Sequence, residues 1–343
     1  MTTTEGPAAL NTSGDPEKDT PTNLSTQYDT PMGLAHSTMA TLKERITLHY
    51  DLASDYYLNL WGEHIHHGYY PTLESKANDT KETAQLNLIK LLLEISHLSS
   101  SSSTPLRILD VGCGIGGTSR YLASTFGATV TGITISSKQV EIAKRLTKTA
   151  ASKEASTTSA GDSGDFTVLG KGQVKFLELD AEKMGEHFRE SDEKGDFDVV
   201  WISEALSHFP NKPLFFQNAE MVLKKGGKLV LADWFKSMDV KAGDADIKAI
   251  EDGMLLPPLC TQSEYVKMAT DAGLNVLAEP QDISAEVSKT WDITWSLIQN
   301  PSLWAFAFSQ GRDGIAFLQA FRAMRRGYAN GSFRYAVMAF QKL

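Results

Sequence analysis

Cysteine is scarce in this chain of 343 residues, in which only Cys113 and Cys260 are present. Two thiols cannot build a disulfide framework, so we expect a protein of a reducing compartment, the cytoplasm. A long apolar run is also absent. The best candidate, Leu86–Leu98, contains three ionisable residues and is shorter than the roughly 20 residues that a membrane-spanning helix needs. We therefore expect no stable membrane insertion.

A surplus of basic residues is missing as well. The sequence has 33 Lys and Arg against 42 Asp and Glu, a net charge of −9. This balance disfavours nucleic-acid binding, because proteins that bind nucleic acids normally carry an excess of positive charge. Part of the negative charge lies in residues 1–38, where five acidic residues accompany the single Lys18. That segment has too few apolar side chains to offset its ordering entropy, so we predict a disordered tail.

Helix and strand patterns alternate in the middle of the chain, which is typical of a parallel α/β sheet. We predict an N-terminal helical cap at 39–104, a core at 105–239 and a final antiparallel strand at 329–343. A helical substrate cap, rich in aromatic residues, is predicted at 240–328. The polar stretch 148–173 is predicted to be a flexible surface insertion of the core. Seven strands are expected, at 107–111, 129–135, 174–180, 197–203, 228–234, 275–278 and 332–341.

The segment ILDVGCGIGG, residues 108–117, is the sharpest local signal. An apolar strand leads into Asp110 and a cluster of glycines, and a helix follows. Glycines let the backbone approach a ligand closely, and a helix N-terminus offers free N–H groups to an anion. The spacing of Gly112, Gly114 and Gly117 also satisfies the dinucleotide pattern G-x-G-x-x-G. The acidic residue that NAD sites carry about 20 residues later is missing, so a dinucleotide site stays open only as a weaker alternative.

Five motifs follow one another along the chain: ILDVGCGIGG, GITIS with Gln139, ELDAE, WISEALSHF and KKGGKLVLADW. In this order they resemble the motifs of class I S-adenosylmethionine-dependent methyltransferases. The segment YDLASDYYLNLWGEHIHHGYY, residues 50–70, resembles the γ-tocopherol methyltransferase-like group, which is related to sterol C-methyltransferases and more distantly to cyclopropane fatty-acid synthases. The resemblance covers most of residues 45–341. It implies a Rossmann-like, seven-stranded, mostly parallel sheet with S-adenosyl-L-methionine as the cofactor.

The resemblance also implies which residues bind the cofactor. Six residues are expected around its methionine half: Ile65, His66, Asp110, Gly112, Gly114 and Gly116. Thr134 stands where most relatives have the acidic residue that binds the ribose, so Gln139 becomes the candidate ribose contact; capping its own helix is the competing role. Asp180 and Ala181 are expected to bind adenine, and a turn cap is the competing role of Asp180.

Acid–base chemistry is expected from the segment that follows the fourth core strand. A methyl acceptor that carries a proton needs a base, and His208 is the candidate, with Glu204 as the side chain that orients it. In the competing interpretation both side chains only hold the loop. The substrate pocket is expected to include His64, His67, Trp234 and Trp291. No metal site is predicted, because the spacing of the clustered histidines matches no known ligand pattern.

The predicted function is methyl transfer to a small, largely apolar metabolite of specialised metabolism, such as a phenol, terpenoid or alkaloid, at C, N or O. Two alternatives stay open. One is sterol-type C-methylation or cyclopropanation of an alkene, in which Glu204 or His208 would receive a proton. The other is a homologue that binds the cofactor but transfers no methyl group, since fold does not fix function. The expected partner is a small-molecule substrate, and the expected assembly is a monomer or a homodimer.

Overall fold

The computed structural model describes residues 39–99, 104–155, 165–190, 195–298, 304 and 312–343. The disordered tail predicted at 1–38 lies outside the described residues. Within the described part of the chain, none of the helices combines the length and the hydropathy that crossing a bilayer requires.

Eight strands of the described residues form one sheet in the order β3-β4-β2-β1-β5-β6-β8-β7. In chain order they are β1 (Arg107–Val111), β2 (Thr129–Thr134), β3 (Thr167–Leu169), β4 (Gly172–Glu178), β5 (Phe197–Ser203), β6 (Leu223–Lys236), β7 (Leu274–Asp282) and β8 (Phe333–Lys342). The pairs β1–β2, β1–β5, β2–β4 and β5–β6 are parallel. Strands β3, β7 and β8 pair antiparallel to their neighbours. The mixed α/β class with a mostly parallel sheet is therefore confirmed.

Helices flank the sheet on both faces. In chain order they are α1 (Met39–Trp61), α2 (Leu73–Asn78), α3 (Lys81–Ile95), α4 (Gly117–Ser124), α5 (Ser137–Ala155), α6 (Met184–Glu190), α7 (Lys212–Val222), α8 (Ala245–Gly253), α9 (Gln262–Asp271), α10 (Ser284–Val287), α11 (Lys289–Ile298) and α12 (Arg312–Asn330). Short 3-10 turns follow β4 and β5, at Ala181–Lys183 and Leu206–His208. Thr261 and Glu264 form a capping box at the start of α9.

The core lies on both faces of the sheet. Val199 and Trp201 of β5 belong to one buried apolar cluster, whereas Val200 and Ile202 of the same strand belong to the other. Successive side chains of a strand point to opposite faces, so each parallel strand contributes to both clusters. Helices α3, α4 and α12 cover the first face, and α6, α7 and α9 cover the second. Because helices cover both faces of the sheet, a ligand can reach the sheet only at the ends of its strands.

Three details correct the prediction from sequence. The sheet has eight strands instead of seven, because β3 forms a short hairpin with β4 inside the stretch that was predicted to be a flexible insertion. Residues 148–155 of that stretch continue α5, and residues 156–164 lie outside the described residues. The predicted substrate cap at 240–328 also contributes to the core, since α9 packs on the second face of the sheet; β7 joins the sheet where the strand at 275–278 was expected.

The strand order reverses at β1, which lies between β2 and β5. Open α/β sheets bind ligands in the crevice at such a reversal, outside the carboxyl ends of the strands. Asp110, Thr134 and Ser203 belong to the last two residues of β1, β2 and β5. The fold therefore brings residues that are far apart in sequence to one edge of the sheet.

Candidate functional site

A cavity of about 860 Å³ opens at the carboxyl ends of β1, β2, β4 and β5. Its walls combine these strand ends with Lys43, Ile46 and Tyr50 of α1. Seven residues predicted to bind the cofactor line it: Ile65, Gly112, Gly114, Thr134, Gln139, Asp180 and Ala181. We call it the large cavity.

A second cavity of about 390 Å³, the glycine-loop cavity, shares Gly112, Gly114 and Ser203 with the large cavity. Gly112 and Gly114 have φ angles of +68° and +54°, a left-handed conformation that favours glycine. A Cβ built on Gly114 would meet no atom within 4 Å. The backbone at Gly114 therefore faces open space, into which a side chain would intrude, whereas a Cβ on Gly112 would lie 2.4 Å from the Cβ of Ala205.

Asp110 lies in the wall of the glycine-loop cavity and is 3% exposed. Its Oδ2 accepts a hydrogen bond from the Ser119 hydroxyl at 2.5 Å. Burial raises the pKa of Asp110 to about 7, although the hydrogen bond from Ser119 lowers it. A nearby cation favours the ionised form of such a carboxyl group. The ammonium group of an amino-acid ligand would supply that cation.

Gly116 lies behind the loop. It is the N-cap residue of α4, with a φ of +81°. A Cβ on Gly116 would lie 2.5 Å from the ring of Phe176, so packing as well as backbone conformation requires glycine. Gly112 and Gly114 line both the large cavity and the glycine-loop cavity, whereas Gly116 lines neither of these two.

Thr134 and Gln139 bond to each other at the edge of the large cavity. The Thr134 hydroxyl donates to Oε1 of Gln139 at 2.6 Å. The backbone N–H of Gln139 donates to the Ser136 hydroxyl at 3.1 Å, so Ser136 caps α5. The backbone N–H of Ser136 donates to Thr134 at 3.4 Å. Half of the predicted capping box therefore forms, and the side chain of Gln139 lines the cavity instead of closing the box.

Asp180 combines a turn cap with an ion pair. Its Oδ1 accepts the backbone N–H of Glu182 at 3.0 Å. Its Oδ2 lies 2.9 Å from the ammonium group of Lys43, which also pairs with Glu182 at 2.5 Å. Burial lowers the pKa of Lys43, but the two carboxylates outweigh burial and raise it above its ordinary value. Asp180 therefore caps the turn that begins at Ala181, which is the role that competes with adenine binding. The same carboxylate also anchors α1 through Lys43.

The loop 62–70 contains the three clustered histidines and packs directly on the start of α4. Arg120 of α4 is buried and pairs with Glu63 of the loop at 3.0 Å. A Cβ on Gly117 would lie 2.0 Å from the carbonyl oxygen of Glu63. The second glycine of the GG pair therefore lets the histidine loop approach the glycine loop.

The first two histidines of this loop face the glycine-loop cavity. Gln85 of α3 donates to the carbonyl oxygens of His64 and His66, at 2.6 Å and 3.2 Å. His64 lines the glycine-loop cavity and not the predicted substrate pocket, and burial lowers its pKa to about 3. His66 lines this cavity and the apolar pocket described next. We expected His64 to contact the substrate. The structure instead places its side chain at the glycine-loop cavity, whereas His66, two residues later, lines both cavities.

An apolar pocket of about 590 Å³ lies between α1 and the C-terminal helices. Its walls are mostly aromatic and include Tyr57, Trp61, Trp234, Trp291, Phe317 and Phe321. Of the residues predicted to contact substrate, His67, Trp234 and Trp291 line it. The apolar pocket and the large cavity share Tyr50, Ile65 and Glu204, so the two adjoin at these side chains.

Glu204 occupies this junction with a φ of +55°, which is uncommon for a residue other than glycine. Its Oε1 accepts the backbone N–H of His67 at 2.6 Å and the Tyr335 hydroxyl at 2.7 Å. Its Oε2 accepts Nδ1 of His67 at 2.9 Å. Burial raises the pKa of Glu204, but its interactions with His67, including the hydrogen bonds from the ring and the backbone, outweigh burial, so the pKa lies below its ordinary value.

His208 does not pair with Glu204, which corrects the predicted arrangement. Its Nε2 lies 3.1 Å from the hydroxyl of Tyr50. Burial lowers the pKa of His208 to about 3, so the ring is neutral and accepts a proton poorly near pH 7. His208 lines the large cavity, whereas Tyr50 lines both cavities. Tyr50 therefore separates His208 from the apolar pocket.

Sequence reasoning missed Lys43, Tyr50 and Tyr335. Tyr50 is the first residue of the N-terminal motif and lies in a helix that periodicity predicts, but the pattern says nothing of what that helix covers. Tyr335 lies in β8, where its hydroxyl reaches Glu204 across 131 positions of sequence. Within the described residues, no group of three or more His, Cys, Asp or Glu side chains is arranged to hold a metal ion.

The large cavity and the glycine-loop cavity adjoin at Gly112, Gly114 and Ser203, which line both. The family model described as "Methyltransferase domain" matches residues 109–231, the part that contributes the glycine loop and the strand ends to these cavities. The probable tocopherol O-methyltransferase, chloroplastic, of Oryza sativa subsp. japonica is 28% identical over 312 residues, which cover 88% of this chain and 78% of that protein. The chain belongs to the class I S-adenosylmethionine-dependent methyltransferases. Its cofactor is S-adenosylmethionine, which replaces the dinucleotide alternative.

Two further similarities place this methyltransferase among its relatives. The 2-methyl-6-phytyl-1,4-hydroquinone methyltransferase of Synechocystis sp. is 36% identical over 176 residues, covering 51% of this chain and 45% of that protein. The structure of the cyclopropane synthase MmaA2 from Mycobacterium tuberculosis superposes with a TM-score of 0.68 at 17% identity, covering 87% of this chain and 98% of the other. At that identity the superposition shows a shared fold. In sequence the methyltransferase is tocopherol methyltransferase-like over most of its length.

Proposed function

We propose that this methyltransferase transfers a methyl group from S-adenosylmethionine to a small, largely apolar phenol. The observation that carries the proposal is the apolar pocket, whose aromatic walls adjoin the large cavity at Tyr50, Ile65 and Glu204. Flat aromatic walls with a few polar groups suit an apolar ring that bears a hydroxyl group. The tocopherol and hydroquinone named for the two relatives are acceptors of this chemical class.

The cofactor would lie across the large cavity and the glycine-loop cavity. Asp180 and Ala181 would hold its adenine and Gln139, beside Thr134, its ribose. The backbone of Gly112 and Gly114, with Asp110, would hold the methionine half. Ile65 and His66 would close over that half, because both line the glycine-loop cavity, and Gly116 would support the loop from behind.

The chemistry of the transfer requires little beyond alignment and exclusion of water. Bound S-adenosylmethionine supplies an electrophilic methyl group on a sulfonium. The chain would hold the acceptor beside the cofactor at the junction formed by Tyr50, Ile65 and Glu204, and holding two reactants together lowers the entropic barrier of the reaction. Trp234 and Trp291, 6% and 5% exposed, would keep solvent from the acceptor side.

A second candidate function is C-methylation or cyclopropanation of an alkene. The buried, ionised Glu204 at the junction favours it, since a carboxylate at that place would stabilise a carbocation electrostatically. The likeness to a cyclopropane synthase concerns the fold alone. The phenol remains the first proposal, because both curated relatives compared above are named for aromatic acceptors.

The setting of the reaction is also part of the proposal. The partner is a small-molecule acceptor, with no role for nucleic acid, and the enzyme acts as a monomer or a homodimer in the cytoplasm. The rice relative is named chloroplastic, so a fluorescent fusion in the source cells is the direct test of location. Sedimentation of the purified chain tests the assembly.

The experiment that tests the function measures cofactor binding by titration calorimetry and then searches for the acceptor. S-Adenosylmethionine and S-adenosylhomocysteine should bind, and NAD, as control, should not. Extracts incubated with the loaded enzyme should then yield a product heavier by one methyl group, carried on a phenol. A product methylated at an alkene carbon would favour the second candidate, and absence of cofactor binding would overturn both.

A further inference from the structure

His67 and Glu204 form a buried pair at the wall of the apolar pocket. We propose that His67 is the catalytic residue that accepts the hydroxyl proton of the methyl acceptor, and that Glu204 is the positioning residue that holds its ring. The inference rests on the proposed function and narrows it to methylation at a phenolic oxygen.

Glu204 fixes the orientation of His67 through both ring and backbone. Its Oε2 accepts Nδ1 of the ring at 2.9 Å, and its Oε1 accepts the backbone N–H of the same residue at 2.6 Å. Tyr335 donates to Oε1 at 2.7 Å, which holds the carboxylate in place. Because Nδ1 carries the hydrogen of this bond, the lone pair of the neutral ring resides on Nε2.

The ring of His67 belongs to the aromatic wall where the acceptor would lie. The residue is 3% exposed and lines the apolar pocket. Its ring centre lies 5.2 Å from that of Trp291 and 6.1 Å from that of Trp234. The hydroxyl of Tyr328 lies 3.4 Å from Nε2. An acceptor hydroxyl would take the place of the Tyr328 hydroxyl beside this nitrogen.

The proposed step balances charge and atoms. The acceptor oxygen bonds to the methyl carbon, the carbon–sulfur bond breaks with its electron pair on sulfur, and the hydroxyl proton moves to Nε2 of His67. A neutral ring beside a carboxylate thereby becomes an imidazolium paired with Glu204, which stabilises it electrostatically. This is the relation between carboxylate and imidazole that hydrolases use to hold a general base.

His66 is the rival base. Its Nε2 is buried and has no hydrogen-bond partner among the described residues, and its Nδ1 lies 2.9 Å from the carbonyl oxygen of His67. His66 also lines the glycine-loop cavity, where a proton on its ring would place a second positive charge beside the bound sulfonium. Burial lowers its pKa. The proton is better accommodated on His67, which has the paired carboxylate.

The test uses the enzyme saturated with S-adenosylhomocysteine and the chromogenic probe 4-nitrophenol. If His67 accepts a hydroxyl proton, the wild-type enzyme should bind the probe with the absorption spectrum of the phenolate at a pH where the free probe is mostly protonated. His67→Asn and Glu204→Gln should lose this spectrum, and His187→Asn, at an exposed histidine of α6 outside the three cavities, should keep it. A neutral spectrum with the wild-type enzyme overturns the proposal without any variant. A phenolate spectrum that persists in His67→Asn overturns it as well.

Calorimetry with S-adenosylhomocysteine separates this proposal from the proposed function. The His67 and Glu204 variants should bind it within about twofold of wild type, since Asp110, Gln139 and Asp180 are unchanged; equal affinity also shows that the variants are folded. In turnover, loss of a general base lowers kcat by about 10²- to 10⁴-fold while the KM for the cofactor stays similar. If the wild-type enzyme fails to bind S-adenosylhomocysteine, the proposed function falls. If the wild-type enzyme binds S-adenosylhomocysteine but 4-nitrophenol keeps the spectrum of its protonated form, the proposed function stands and only the role of His67 as the base is overturned.

Discussion

The ammonium group of Lys43 lies 2.9 Å from Oδ2 of Asp180, and this ion pair ties α1 to the end of β4. Both residues line the large cavity, together with Ile46 and Tyr50 of the same helix. Helix α1 is therefore a wall of the proposed cofactor site as well as part of an N-terminal cap. The carboxylate that would hold adenine also holds this wall.

Replacing Lys43 with methionine should weaken binding of S-adenosylmethionine by about three- to tenfold. A partly buried ion pair of this kind contributes roughly 1 kcal/mol, and its loss loosens α1 over the cavity. Titration calorimetry measures the change. The exposed Lys90 of α3 offers a matched control, and Lys90→Met should bind like wild type. Equal affinities for the two variants would show that α1 does not close the site.

Cofactor affinity should depend on pH through Asp110, whose pKa burial raises to about 7. Binding of an ammonium group requires the ionised carboxylate, and below pH 7 the free enzyme holds a proton there. The affinity should therefore fall by up to tenfold for each pH unit below 7 and level off above it. Calorimetry in buffers with different ionisation enthalpies should detect the released proton. Asp110→Asn should bind weakly at every pH, and a persistent pH dependence in that variant would assign the effect to another group.

Two glycines offer a matched pair for testing where the cofactor lies. Gly114 and Gly226 have φ angles of +54° and +80°, and a Cβ on either would meet no atom within 4 Å. Alanine at each position should cost about 1–2 kcal/mol of stability through backbone strain. Only Gly114→Ala places a methyl group in the cavity, so it alone should lose affinity for S-adenosylmethionine. Melting curves measure the loss of stability, and calorimetry measures the affinity for S-adenosylmethionine. Similar affinities for the two variants would show that the cofactor does not bind against Gly114.

Glu251→Gln should stabilise the protein above neutral pH. Burial raises the pKa of Glu251 to about 7 from an ordinary value of 4.5. Because the folded-state pKa is the higher one, the wild type loses stability as the pH rises from 4.5 to 7, and the neutral amide does not. Glutamine can still accept the Leu259 N–H, which lies 2.7 Å from Oε1. We expect a gain of roughly 1–3 kcal/mol in the unfolding free energy at pH 8.

Urea denaturation of wild type and Glu251→Gln at about pH 5 and pH 8 measures this difference. At pH 5 the side chain of the wild type is mostly protonated in the folded state, so the gain should be small. A gain of the same size at both pH values would point to a packing effect and not to ionisation.

Local patterns were enough to predict the core of the fold. Strand β5, Phe197–Ser203, begins and ends where its apolar run predicts, and the glycine loop lies where its motif predicts. Strand β3 was missed because three residues, Thr167–Leu169, form a strand only by pairing with β4. Their sequence carries no periodicity that a reader could use.

The polar partners within the site could not be predicted in the same way. The sequence suggested that Glu204 would orient His208, four residues away, whereas the carboxylate pairs with His67 at a separation of 137 residues. Such a contact depends on how the loop 62–70 packs, which Gln85 and the start of α4 decide. Residue types at a strand end identify the chemistry available there, but tertiary packing selects the pairs.

Ile65 lines all three cavities, and this has a thermodynamic consequence. A ligand that fixes this side chain on one side also shapes the wall that the other ligand meets. The binding of cofactor and the binding of acceptor should then be coupled, and by linkage each must change the affinity of the other by the same factor.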